Sequence, residues 1–344
     1  MTQQLLIEMP AEGAARLLTL SLLEQLMQGP AAASDPSKAG GPSSTFEGNL
    51  ARLRGCMSIY SDALGDDIPR KARRHLRQLS DSVRRLRQAD TQLGWITRYL
   101  YASVDRTDDG STSATDGRIA ARWMNERVVR RRRRAERVFE RTRAASRPLK
   151  RLAKRLGVYT TAVRIDEMPT QRSFAALTGT EIISEATRLG DAFSALRMAN
   201  DPRATRRALT AAGHVLFLIE PIRAYVDVEA LSKEVQALRA ALQRIDDLAV
   251  VARVMIRGGR RIGSLFASEQ MRSTLWPSRR VDAPVDVDTL AQLSAVQRGL
   301  VVMATSLGNE LASASETFAS IWLSDRVGKL VDEIRRVGSS LEIA

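Results

Sequence analysis

Apolar side chains recur every three or four residues along nearly all of this chain, and that spacing dictates helices. Leu50, Leu53, Met57, Tyr60 and Leu64 form one such stripe, and Leu76, Leu79, Val83, Leu86, Leu93 and Leu100 form another. An apolar stripe on a helix is stable only when a second helix covers it. No run alternates apolar and polar residues as a half-buried strand would, so the chain reads as all-α. Its 344 residues, 44% of them hydrophobic, suffice for one large or two ordinary domains with real cores. A disordered polycation is excluded despite a net charge of +14.

The punctuation predicts helices over 12–27, 46–64, 69–102, 117–156, 181–198, 201–226, 228–257 and 286–337. Gly29-Pro30, Gly65-Asp66-Asp67, Asp201-Pro202, Gly258-Gly259 and Trp276-Pro277 separate them, and the last is expected to break near Gly308 or Ser324. Residues 31–45, 105–116 and 157–169 read as polar loops. Two sets of about four helices suggest a duplicated bundle, with a strongly basic half over 1–170 and a nearly neutral half over 178–344.

The scarce residues narrow the chemistry. Cys56 is the only cysteine, so no internal disulfide and no CxxC metal site can form; it reads as a core thiol. His75 and His214 are the only histidines, too few for a His-rich metal site. His75, within an Arg-rich stretch, reads as a surface residue. Asp246-Asp247 is no metal pair, because adjacent helical residues point about 100° apart; a structural ion pair or a cap suits Asp247 better. No cofactor, metal or catalytic group is expected. The N-terminus lacks a positive segment, and no apolar run nears the ~18 residues of a membrane span. A soluble cytoplasmic protein is expected.

Charge is the loudest signal. All but six of the 53 basic residues are Arg, whose planar fork fits phosphate oxygens in pairs. Residues 1–178 hold 32 Lys/Arg against 19 Asp/Glu, whereas 179–344 hold 21 against 20. The surplus centres on Arg130-Arg131-Arg132-Arg133-Arg134, in a helix that keeps a seam of Met124, Val128, Ala135, Val138, Ala145, Leu149, Leu152 and Leu156. Arg131 falls on that seam, where burial demands an anionic partner. Asp90 likewise falls on the seam of its helix, with Arg87 as candidate partner. Like charges this dense repel until an anion neutralises them, which points to a polyanion-binding face rather than a merely solvated one. Phe139 is the only aromatic between Met124 and Gly157, and no zinc-finger, Gly-rich RNA or recognition-helix signature appears. A phosphate chain without bases suits that composition better than nucleic acid, which remains the alternative partner; a scaffold that has lost its ligand is another.

Four stretches carry a resemblance. Arg52-Leu53-Arg54 resembles the RRLR end of a first motif, and Leu76–Asp90 resembles an LxxxLGxxRDxDV helix, keeping Arg87 and Asp90. Phe217-Leu218-Ile219-Glu220 is similar to RYxxE, and Leu238–Val250 to LQDLLGELNDLAV, with Asp246-Asp247 at the ND positions. These are motifs of the CHAD family, the conserved histidine α-helical domain, in the family's order and spacing. The signature histidines are replaced, near Ser44 and Arg206; Glu47 and Ala51 stand at motif basic positions, and Arg84 and Gln243 at the LG glycines. The resemblance implies two pseudo-symmetric four-helix bundles around a basic groove, binding inorganic polyphosphate without catalysis and associated with polyphosphate granules. It implies that Arg52, Arg54 and Arg87 line the groove, with Arg206 in place of a histidine and Asp90 holding basic neighbours. The basic faces add Arg73, Arg77, Arg84, Arg130, Arg133, Arg134, Arg137 and Arg207. His214 reads either as a packed helix histidine or as an anion contact.

Overall fold

In the computed structural model, which describes residues 7–28, 42–65, 68–104, 112–161, 172–198, 201–275, 287–323 and 325–343, all regular structure is helical. The helices are α1 (Ala11–Gln28), α2 (Pro42–Ile59), the single turn α3 (Ser61–Leu64), α4 (Arg70–Val104), α5 (Thr112–Ala144), α6 (Arg147–Thr161), α7 (Phe174–Met198), α8 (Pro202–Ile219), α9 (Glu229–Leu275), α10 (Val287–Trp322) and α11 (Asp325–Ile343). The all-α reading holds.

Several boundaries differ from the expected ones: α7 begins at Phe174 rather than near Glu181, α8 ends at Ile219 rather than Val226, and residues 157–161, read as loop, close α6. The basic helix is not continuous to Leu156: it stops at Ala144 and α6 starts at Arg147. Pro148 has no N–H to give, and its ring collides with the carbonyl four residues back, so it is tolerated only in the first turn of a new helix. Ser146 accepts the first bonds of that turn, from Leu149 and Lys150. Conversely, α9 runs straight through Gly258-Gly259 to Leu275. A Cβ at position 258 would lie 2.9 Å from Met124 Sδ, so this glycine serves a close helix approach and ends nothing. In addition, Pro42–Thr45, read as loop, opens α2, and Thr112–Asp116 opens α5; 31–41, 105–111 and 162–169 of the expected loops lie outside the described residues. The last helix does break, between Trp322 and Asp325, while Gly308 stays within α10.

The chain forms two compact units, and neither is one half of the sequence. Unit 1 comprises Met1–Arg84, Glu136–Arg244 and Thr317–Ala344; unit 2 comprises Arg85–Ala135 and Ile245–Glu316. The long helices α4, α5, α9 and α10, with 33 to 47 residues each, contribute to both.

Unit 2 is a four-helix bundle, one stretch from each of those helices. Its core interleaves Trp95 and Ile96 of α4, Ala121, Met124 and Val128 of α5, Val251, Val254 and Ile262 of α9, and Val296, Leu300 and Met303 of α10. Gly299 of α10 brings that helix against α5, where a Cβ would overlap the Asp116 carbonyl oxygen at 1.9 Å. Beside it, Arg298 Nε donates to Asp116 at 2.7 Å.

Unit 1 packs α7 against α8 and α11, and α1 against α2 and α6. Gly179 and Gly338 allow α7 and α11 to touch backbone to backbone. Cys56 is buried as expected; burial lifts its thiol to about 12, partly offset by the Thr19 hydroxyl 3.3 Å away. His75 is not a surface residue: it is 6% exposed among the core side chains, and burial holds its imidazole below its ordinary value. On α5, Phe139 occupies the seam, edge-to-face with Phe46 at 5.2 Å, and Val138 turns outward.

Candidate polyanion-binding site

The bundle of unit 2 carries its charge on one stripe of α5. Arg127, Arg130, Arg131 and Arg134 follow the i, i+3, i+4, i+7 spacing that puts side chains on one helix face, and together they line a recess of ≈ 440 Å³. Burial of Met124 and Val128 in the core fixes which way that face turns. From α9, Arg257 and Arg261 act electrostatically on two of these arginines. Burial first, then Arg257 and Arg127, hold the Arg131 guanidinium below its ordinary value; Arg127 is lowered by burial, Arg261 and Arg130. All remain charged near neutrality, as guanidinium does in proteins.

Arg131 was expected to need an anionic partner in the core. It is instead exposed, and its neighbours are cations. Among the described residues, Arg127, Arg131, Arg134, Arg257 and Arg261 make no salt bridge. Arg130 reaches Glu126 only at 3.9 Å, and Arg127 lies over the Trp123 ring at 4.5 Å. Guanidiniums gathered with so little acidic compensation raise the local potential and concentrate anions there.

Neighbouring arginines in the same unit are tied down. Arg132, one residue and about 100° round the helix from Arg131, donates through Nε to Asp90 at 2.6 Å. Arg87 donates to Asp247 at 3.2 Å, and Asp246 lies 3.9 Å from Arg253. Asp90 is therefore held by Arg132 rather than Arg87, and Arg87 joins the two motif-bearing helices α4 and α9. Each of these half-exposed pairs contributes up to about 1 kcal/mol; their effect is to sort the arginines into bound and unbound sets. The alternation arises because Asp90 and Asp247 lie within reach of Arg132 and Arg87, whereas the Arg127–Arg134 stripe meets, among the described residues, only Glu126, 3.9 Å from Arg130.

The fold has a counterpart among solved structures. The chain shares its fold with PptA from Streptomyces chartreusis. The two are 14% identical, with a TM-score of 0.55, over 90% of this chain and 100% of that one. No family model and no curated protein matches the sequence.

The other arginines and histidine singled out in the sequence divide between the units. Arg130 and Arg134 line the recess, Arg133 sits exposed between them, and Arg87 is paired as above. Arg52, Arg54, Arg73, Arg77, Arg84, Arg137, Arg206, Arg207 and His214 belong to unit 1. There Arg52 is engaged by Glu220, Arg84 by Asp81 at 2.8 Å and Arg207 by Asp201 at 4.0 Å, while Arg54, Arg73, Arg77 and Arg206 are exposed. His214 Nδ1 lies 3.1 Å from Glu185, whose side chain is 1% exposed and also meets Arg188. Burial alone would raise the Glu185 carboxyl, but His214 and Arg188 outweigh it and leave it below the usual carboxylate range.

Arg257 and Arg261 escaped the sequence reading. Their i, i+4 spacing was visible, but a helix ended at Gly258 cannot present both. Among the described residues no cluster of His, Cys, Asp and Glu could hold a metal ion, and no helix is long and apolar enough to cross a membrane.

Proposed function

We propose that the protein binds inorganic polyphosphate, without turning it over, in the arginine recess of unit 2, and that in the cell it associates with polyphosphate granules in the cytoplasm. The observation that carries this reading is the row of Arg127, Arg130, Arg131 and Arg134 along one recess, with Arg257 and Arg261 acting on two of them and, among the described residues, only Glu126, 3.9 Å from Arg130, as a carboxylate partner. A phosphate chain presents charge at every repeat and nothing else to read, so it needs guanidiniums in a row and no base-stacking platform. Among the described residues no aromatic side chain lines the recess, and the neighbouring Trp123 ring is already covered by Arg127. The order of the CHAD-like motifs supports the same ligand, and the Asp90–Arg132 and Arg87–Asp247 pairs give their acidic positions a structural part.

The test is binding of long-chain polyphosphate to the full chain and to Arg131→Gln/Arg257→Gln, with duplex DNA as competitor at equal phosphate concentration. Neither substitution removes a carboxylate partner, so the fold persists while affinity falls at least tenfold. Displacement by duplex DNA would favour a nucleic-acid ligand instead. Unchanged affinity in the variant would place polyphosphate elsewhere.

A further inference from the structure

Unit 1 carries a cationic row of its own, on the exposed face of α6. This helix reads RPLKRLAKRLGVYTT and holds no Asp or Glu, while five of its first nine residues are Lys or Arg. Leu149, Leu152 and Leu156 are buried, and α6 packs against α1. Their burial turns Arg147, Lys150, Arg151 and Lys154 to solvent, where all four are exposed. The i, i+3, i+4, i+7 spacing aligns them on one face, as it aligns Arg127, Arg130, Arg131 and Arg134 on α5. Among the described residues none of the four makes a salt bridge. The row is unfavourable for the helix that bears it. Its first turn holds cations and no acid, at the end where the helix dipole favours negative charge. Arg147 with Arg151, and Lys150 with Lys154, are like-charge pairs at i, i+4, which repel. Both penalties fall when a polyanion covers the face.

We propose that the α6 face is a second polyphosphate surface, and that the protein, with one surface on each unit, bridges polyphosphate strands. This rests on the polyphosphate reading of the recess. The chemistry of α6 selects the partner. Its leucines are spent on the core, so no apolar face remains to lay into lipid headgroups. None of its described exposed side chains is aromatic, so it gives bases nothing to stack on. Lys150 and Lys154 offer compact, hydrated point charges rather than planar forks. The row is also open to water, so it binds more loosely than the recess and yields to salt first. A ligand with charge at every repeat can occupy both surfaces of one molecule or join two molecules. Long strands are thereby cross-linked into a network.

The full chain, Lys150→Gln/Arg151→Gln/Lys154→Gln and Arg131→Gln/Arg257→Gln are compared in two measurements. Calorimetric titration with tripolyphosphate at low salt should find two sites on the parent, one tighter than the other. The α6 variant should keep only the tight site, at unchanged affinity, whereas the recess variant should keep the loose site and weaken the tight one at least tenfold. Mixing with long-chain polyphosphate should give large assemblies with the parent, read by light scattering, and none with the α6 variant, which still binds. Glutamine preserves helix propensity and relieves the repulsion, so the α6 variant should melt no lower than the parent. An α6 variant that keeps two sites, or assembles as the parent does, would overturn the second surface and leave the recess reading standing. A single site, lost in the α6 variant and kept in the recess variant, would overturn the recess reading and bridging with it. Binding of the α6 face to phosphatidylglycerol vesicles or duplex DNA, but not to tripolyphosphate, would overturn the choice of partner.

Discussion

Leucine placed at Gly258 and at Gly259 in turn separates helix propensity from helix packing at the place that brings α9 against α5. Both substitutions give up glycine within α9 and so gain a similar propensity term, about 0.8 kcal/mol. Their surroundings differ. A Cβ at 258 would meet Met124 Sδ at 2.9 Å, and Met124 Cε and Trp123 Cζ3 at 3.6 Å, whereas at 259 nothing lies within 4 Å. Forcing extra methylenes into packed space costs about 1–3 kcal/mol. Gly259→Leu should therefore gain stability, and Gly258→Leu should fall below it by that packing term. With a urea slope of about 2 kcal/mol per molar, the midpoints separate by roughly 0.5–1.5 M. Urea unfolding followed by helical circular dichroism reads the difference. Gly258→Leu should also weaken polyphosphate binding, because Arg257 and Arg261 are carried away from the α5 stripe. Coincident midpoints would refute the packing assigned to Gly258, and with it the reason α9 continues past 257.

Two further outcomes follow from named contacts. Gly299→Ala sets a Cβ 1.9 Å from the Asp116 backbone oxygen, which no side-chain rotation relieves, so unit 2 should lose about 3 kcal/mol or more, while Gly308→Ala, with open space around it, loses none; equal thermal midpoints would contradict the α5–α10 contact. Glu185→Gln removes a buried carboxylate whose pKa is depressed in the fold, so the stability it contributes is present above about pH 4.5, its ordinary value, and is lost as pH falls through the lower folded value. The variant should be less stable than the parent by roughly 1–3 kcal/mol at pH 7, with the two urea midpoints converging as pH falls below the carboxyl's lowered folded value; a gap independent of pH would deny the carboxylate that role.

Burial patterns were legible wherever a helix face had to be covered. The stripe on α4 and the buried Cys56 follow from spacing alone, because an apolar side chain has one destination. Features that depend on what lies opposite were not. Gly258 reads equally as a helix end and as a close contact, and only Met124, over 130 residues earlier in the chain, decides it. Asp90 was legible as a carboxylate in need of a cation, but its partner Arg132 comes from the next helix. Arg131 looked like a seam residue because the seam was extrapolated at fixed spacing; burial of Val128 and Ala135 rotates it to face Arg257 instead. His75 misled in the opposite direction: Arg73, Arg74 and Arg77 are exposed around it, while it points inward with Leu76. Charge counted along the chain could not show which arginines are paired, and pairing is what marks the recess.

The most direct test of the recess as a polyphosphate site is the salt dependence of binding. Four guanidiniums line the recess and those of Arg257 and Arg261 act on two of them, so six are taken as contacts, with about 0.7 counterions released per contact with a single-stranded polyanion. A plot of log affinity against log salt should then have a slope near −4, so affinity drops by roughly 300-fold between 50 and 200 mM salt. Arg131→Gln/Arg257→Gln, leaving four contacts, should bring the slope to about −3. No binding at low salt, or a slope that the double substitution leaves unchanged, would contradict polyphosphate binding in this recess.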